Sequence, residues 1–153
     1  MGKKATTLME LIIAIAIAAG LAAVTLVAFS LLDKRALESS ARSVYVDLAW
    51  AKASATLHQH NYLFIIDTSD RSYKIGEDKN DDDALSAQEQ EIYKKLNTSV
   101  SVTPDATIRF SNPFGKSVDA AGAVSADTDI TLTRAGNTKL IKIIAETGFL
   151  EVQ

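Results

Sequence analysis

The sequence predicts an α+β fold in which one long N-terminal α-helix packs on an antiparallel β-sheet. Three observations lead there. Residues 11–32 hold no charge, and only Gly20, Thr25 and Ser30 dilute their apolar character. Leu37, Ala41, Val44, Leu48, Ala51 and Ala55 then recur at spacings of three or four, the period of a one-sided helical stripe. The rest of the 153-residue chain is made of short β-rich runs separated by turn residues.

The apolar run is long enough for one specific job. Its 22 residues make a helix of about 33 Å, against a bilayer core of roughly 30 Å. Twelve of them are Leu, Ile, Val or Phe. Together these contribute about −4 to −7 kcal/mol on an insertion scale, with Ala near neutral. Lys3 and Lys4 precede the run, so the positive-inside bias leaves the N-terminus in the cytoplasm and the rest outside. Glu10 sits at the cytoplasmic edge, where an acid costs less than at mid-membrane. A cleaved secretory signal and a plain anchor are the competing readings. Against the signal, the run exceeds the 7–15 residues of an h-region and an acid stands before it.

Asp33-Lys34-Arg35 marks the exit from the membrane. No proline occurs before Pro104, so one helix is expected from about residue 7 to 60, near 80 Å long. Glu38 and Arg42 fall at i,i+4 on its outer side, and Tyr45 and Trp50 are assigned to packing against the sheet. Strands are expected at residues 62–66, 72–75, 100–102, 107–110, 130–133, 139–144 and 149–152, with a short helix at 89–96. Turn chemistry falls at 67–70, at Asn112-Pro113-Phe114-Gly115, at Ala135-Gly136-Asn137 and at Glu146-Thr147-Gly148. Residues 117–128, small and polar, read as a surface loop.

Composition leaves about 120 residues beyond the apolar run for one globular domain. The absence of Cys means that no disulfide staples it. Net charge is −3, and the acids are uneven. Seven of the 19 fall at Glu77, Asp78, Asp81, Asp82, Asp83, Glu89 and Glu91, with Lys79 the one base among them. Without these eight residues the chain holds 12 acids against 15 bases.

A short basic leader, the residues Thr6-Thr7-Leu8-Met9, one acid at Glu10 and then an unbroken apolar helix together resemble the N-terminus of type IV pilins and pseudopilins. The likeness is specific over about 35 residues. It implies cleavage by a prepilin peptidase between Ala5 and Thr6, N-methylation, and Glu10 as fifth residue of the mature chain. That acid would pair with the N-terminal amine of a neighbouring subunit in an apolar filament core. The chain departs from the family by Ala5 in place of the usual Gly and Thr6 in place of Phe, so slow processing is expected. The resemblance divides the chain into a leader (1–5), a transmembrane and filament-core half-helix (6–32) and an extracytoplasmic pilin-like domain (33–153). Many pilins tie down a C-terminal loop with a disulfide, for which this chain must substitute something else. The β-rich second half, ending in Gly148-Phe149-Leu150-Glu151-Val152, is most similar to H-type (FimT-like) minor pseudopilins, by strand pattern alone.

The one constellation with site chemistry is residues 78–89, which resemble an EF-hand calcium loop. Ca²⁺ takes six to eight hard oxygens. Asp78, Asn80 and Asp82 would supply side chains, Ala84 its carbonyl, Ser86 a direct or water-mediated oxygen, and Glu89, opening a helix, both carboxylate oxygens. Leu85 would anchor the loop. Asp83 stands where such loops carry Gly, and Asp tolerates the left-handed backbone there at about 1 kcal/mol. A structural Ca²⁺ is therefore expected, and the competing reading is a solvated loop whose Asp and Ser side chains cap the following helix.

His58 and His60 are two apart and do not share a helix face, so solvated side chains are expected. No GxSxG, HExxH, phosphate-binding glycine loop or Cys nucleophile occurs, and the chain reads as a non-enzyme. Arg134, Lys139 and Lys142 are scattered bases on strands, and nucleic acid is not the expected partner. The resulting expectation is a filament subunit held in a bacterial inner membrane by a single pass before assembly. Lipid, other pilin-like subunits, the peptidase and an inner-membrane assembly platform are its partners. A minor pseudopilin of type II secretion leads. A type IV pilus subunit, minor or major, with a role in adhesion or DNA uptake, is second. A membrane-tethered calcium-binding domain that never polymerises is the alternative of another class.

Overall fold

A computed structural model describes residues 7–111, 115–118 and 126–153. The proposed processing pair Ala5–Thr6 and the Asn112-Pro113-Phe114 part of one turn lie outside them. Helix α1 spans Leu8–His58. It opens on a cap: the Glu10 backbone N–H donates to Thr7 Oγ1 at 3.3 Å, and the Leu11 N–H donates to the Thr7 carbonyl at 3.1 Å. Thr7 with an acid three residues on is a capping-box spacing, and the carboxylate lies at the positive end of the helix dipole.

The chain divides into two compact units, Met1–Arg35 and Ala36–Gln153. In the first, the apolar side chains described from Leu8 to Leu32 are all exposed. In the second, the predicted stripe is the helical side of the core. Leu37, Ala41, Val44, Leu48, Ala51 and Ala55 are each at most 3% exposed.

Against the stripe, the described residues form nine strands in two antiparallel sheets, where one sheet was expected. They are β1 (Tyr62–Asp67), β2 (Ser72–Glu77), β3 (Gln90–Lys95), β4 (Ser101–Thr103), β5 (Ala106–Ser111), β6 (Lys116–Val118), β7 (Thr128–Arg134), β8 (Asn137–Ile144) and β9 (Phe149–Val152). The first sheet runs β3-β2-β1-β5-β6 and the second β4-β7-β8-β9. Period-2 alternation puts Tyr62, Phe64 and Ile66 of β1 in the core with Tyr73 and Ile75 of β2 and Ile108 and Phe110 of β5. Val102, Ile130, Leu132, Ile141, Ile143 and Leu150 complete the same core from the second sheet.

Two expectations are corrected. Within the helix expected at 89–96, Gln90–Lys95 form strand β3 instead. Ser72 faces Lys95 and Ile75 faces Ile92, so β2 supplies the backbone partners that a helix would have found internally. Lys116–Val118 pairs with β5, so the expected loop at 117–128 begins inside a strand, and Thr128 already opens β7; residues 119–125 lie outside the described residues.

The C-terminal hairpin is tied down without a disulfide. Lys52 Nζ donates to the Thr147 carbonyl at 2.9 Å. Gly148, with φ +59, lies so close to Gly115 that an added Cβ would stand 2.1 Å from its carbonyl oxygen. Asp127 accepts the Ala145 N–H at 3.1 Å and pairs with Lys142 Nζ at 3.2 Å. Backbone N–H donation to Asp127 comes first, and Lys142 second, in holding its carboxyl below the usual range.

Candidate functional site

The membrane-length segment is the first candidate. Leu11 to Ile13, Ile15, Ile17, Leu21, Val24, Phe29, Leu31 and Leu32 are each 49–68% exposed. Helix α1 is long and apolar enough there to cross a membrane. An exposed apolar face of this extent is unfavourable in water. Glu10 is exposed within the first turn of α1.

A second apolar stripe escaped the sequence reading. Val46, Trp50, Ala53 and Leu57 stand at helical spacing on the solvent side of α1, with Val46 53% and Leu57 78% exposed. Trp50 was assigned to packing against the sheet. It does meet Tyr62 edge-to-face at 5.9 Å, yet remains 36% exposed. The 4-3-4 spacing is present in the sequence, beside the longer stripe from Leu37 to Ala55 on another face of the same helix.

The acidic loop is the second candidate. It leaves β2 at Glu77 and enters β3 at Gln90, and it folds back over the face of the first sheet that points away from α1. Gly76 permits this, since a Cβ there would stand 1.9 Å from the Glu89 carbonyl oxygen. Asp83 has φ 60, the left-handed backbone expected of its position, and Asp81 has φ 55. Leu85 is half-buried.

The predicted calcium ligands are arranged mainly around protein donors. Asp78 is 3% exposed; its Oδ1 accepts the Asp82 N–H at 3.2 Å and its Oδ2 the Asp83 N–H at 3.4 Å. Asp82 Oδ1 accepts the Ala84 N–H at 2.9 Å, and its Oδ2 accepts from Asn80 Nδ2 at 2.8 Å. Glu89 accepts the Lys79 N–H at 3.2 Å on Oε1 and the Ser86 N–H at 3.0 Å on Oε2. Hydrogen bonding from Ser86 is the main reason its carboxyl lies below the usual range. Asp78, Asp82 and Glu89 are thus each engaged by donors of the loop itself. Among the described residues, no three Asp, Glu, His or Cys side chains are grouped to hold an ion.

What does face Asp78 is Arg109 of β5, the residue missed by the sequence reading. Its Nη2 is 2.7 Å from Asp78 Oδ2, its Nε 2.7 Å from Asp83 Oδ1 and its Nη1 3.9 Å from Asp81 Oδ1. Leu63 separates Gly76 from Arg109 across the sheet, all three on the face the loop covers. A lone Arg inside the run Thr107-Ile108-Arg109-Phe110 was the available signal.

At the end of α1, the Tyr62 hydroxyl donates to Glu91 Oε1 at 3.1 Å, and His58 Nδ1 lies 2.7 Å from the Tyr62 hydroxyl oxygen. With its one proton on Glu91, Tyr62 accepts from a protonated Nδ1. Burial first, and Glu91 second, push the Tyr62 phenol up. His60 Nδ1 lies 3.6 Å from Glu77. Lys139 and Lys142 are half-buried, with Lys142 on Asp127, so the predicted basic residues do not form a free patch.

No family model matches the chain, and no curated protein matches it by sequence. Solved structures do match its fold. The minor pseudopilin EpsH from the type 2 secretion system of Vibrio cholerae superposes with TM-score 0.58 at 15% identity, over 76% of this chain and 94% of that one. The Pseudomonas aeruginosa type IV minor pilin FimU superposes with TM-score 0.60 at 12% identity, over 79% and 90%. The fold is that of the type IV pilins and pseudopilins, with a likeness to the H-type.

Proposed function

We propose that this chain is a structural subunit of a type IV pilus-like filament, stored in the membrane by residues 11–32 and assembled when sister helices replace lipid around them. The observation that carries the reading is the exposure of the apolar side chains described in the first half of α1, in a chain of pilin fold. Either environment removes the same apolar surface from water, so the exchange between them is energetically gentle. Glu10 is the polar exception. Buried among apolar helices, it needs a cationic partner, and the freed amine of Thr6 on a neighbouring subunit supplies one. The exposed stripe Val46, Trp50, Ala53 and Leu57 offers a further apolar contact along the same helix.

Within this class we favour a minor pseudopilin of type II secretion, processed by a prepilin peptidase at Ala5–Thr6 and extracted by an inner-membrane platform. The likeness to FimU, comparable in TM-score to that of EpsH, favours a minor pilin as the second reading. Mass spectrometry of the membrane-extracted protein tests the first step: the chain begins at Thr6 with an N-methyl group. A start beyond Ala18 overturns the reading. Glu10→Ala tests the second step and should abolish recovery of the chain in sheared filaments while leaving its membrane level unchanged. Unimpaired incorporation refutes the role of Glu10, and a wild-type chain that stays in the membrane fraction under assembly conditions refutes the filament itself.

A further inference from the structure

We propose that Arg109 is the built-in cation of the acidic loop: its guanidinium holds the place the sequence reserved for Ca²⁺, and the loop keeps its shape without metal. Calcium needs six to eight oxygens directed at one point. Here the carboxylates of Asp78, Asp82 and Glu89 are turned to different donors, and the buried Asp78 faces a guanidinium 2.7 Å away.

Asp83 is the telling residue. It departs from the calcium-loop pattern at the position where Gly relieves a left-handed backbone, and its φ is 60. A carboxylate at that position has no role in a calcium loop. In this chain it reaches Arg109 Nε at 2.7 Å. The residue that spoils the calcium pattern is thus the second anion of the arginine site. Arg109 in turn has an exposure of 7%, and a guanidinium does not shed its proton. Buried on a sheet face, it requires opposed carboxylates: Asp78 accepts a hydrogen bond from Nη2, and Asp83 stands beside Nε as an ion pair. The pair also closes the loop onto the helix exit. The Asp78 N–H donates to the Asn61 carbonyl at 2.9 Å, and Asn61 Nδ2 donates to Asp81 Oδ1 at 2.7 Å. Arg109 on β5 therefore pins the β2–β3 connection beside the end of α1.

Thermal unfolding of the full chain in detergent, with millimolar CaCl₂ or with EDTA, tests the assignment. The wild-type melting temperature should be the same in both to within about 1 °C. Asp83→Gly separates the possible roles of that residue. If Asp83 were only a strained turn residue, Gly would raise the melting temperature. As a partner of Arg109, its loss should lower it by roughly 3 °C or more. Arg109→Met strands a buried carboxylate and should lower it on the order of 10 °C. Adding Asp78→Asn to that variant should recover part of the loss. A wild-type gain of several degrees in calcium that Glu89→Ala abolishes overturns the proposal, and so does an Asp83→Gly variant more stable than wild type. Neither outcome bears on filament assembly, which Glu10→Ala reads separately.

Discussion

Tyr73→Phe isolates the contact that fastens the domain half of α1 to the first sheet. Asp47, on α1, is 6% exposed. Its Oδ2 accepts the Tyr73 hydroxyl at 2.6 Å and lies 2.7 Å from Lys94 Nζ. Burial, then Asp47, push the Tyr73 phenol up, so the hydroxyl keeps its proton at every workable pH. The ring stacks on Phe64 at 5.0 Å, and Phe preserves that contact and the core volume. The substitution therefore removes the hydrogen bond to charged Asp47, for which about 1.5–3 kcal/mol is typical, together with a longer contact to Ser43 Oγ at 3.4 Å. Lys94 stays on Asp47 but is 46% exposed at its side chain, so the carboxylate is not orphaned and the lower part of that range applies. With a urea m-value of about 1.5–2 kcal/mol/M, a loss of about 1.5–2 kcal/mol moves the midpoint down by about 1 M. Trp50, the single tryptophan, packs on Tyr62 of β1 and reports the transition by fluorescence in the detergent-solubilised chain. Asp47→Asn and the double variant complete a cycle whose coupling should exceed about 1 kcal/mol. A midpoint shift under about 0.3 M, or an equal Tyr73→Phe loss with and without Asp47, would refute the reasoning.

Other perturbations have equally definite signs. Gly148→Ala forces a left-handed alanine whose Cβ would stand 2.1 Å from the Gly115 carbonyl oxygen, and it should cost about 3 kcal/mol by the same urea assay. Leu48→Ala empties a site with 0% exposure between helix and sheets and should cost about 3–5 kcal/mol, with an unchanged secondary-structure spectrum. Acid should destabilise the domain. Ser86 lowers the carboxyl of Glu89, the Ser69 hydroxyl that of Asp67, Lys95 that of Asp70 and the Ala145 N–H that of Asp127. Each folded value lies below its unfolded one, so the stabilisation is full above the ordinary carboxylate range, about 4, and is lost as pH falls through the folded values. Urea midpoints should be level from pH 8 to about 5 and fall below about 4, and a midpoint that rises on acidification contradicts the assignment.

The elements legible in the sequence are those set by neighbours along the chain. The apolar run at 11–32 follows from composition, and the buried stripe from Leu37 to Ala55 follows from a period of 3.6, all six residues being buried as read. The left-handed turn at Asp83 was readable because the loop pattern demands one there. Tertiary structure decided the rest. Residues 90–95 carry helix-tolerant Glu, Gln and Lys, and only the offer of β2 as a hydrogen-bonding partner makes them a strand. Two faces of one helix carry apolar stripes, and the docking of the sheets chose which to bury and left Val46, Trp50, Ala53 and Leu57 in solvent. The cation of the acidic loop is likewise beyond local reading. Asp78 and Arg109 are 31 residues apart, and they meet only because β1 brings β2 and β5 into one sheet. Periodicity along the chain specifies which face of an element is apolar, whereas the choice of counter-charge and pairing partner belongs to contacts that form only after the chain has folded back on itself.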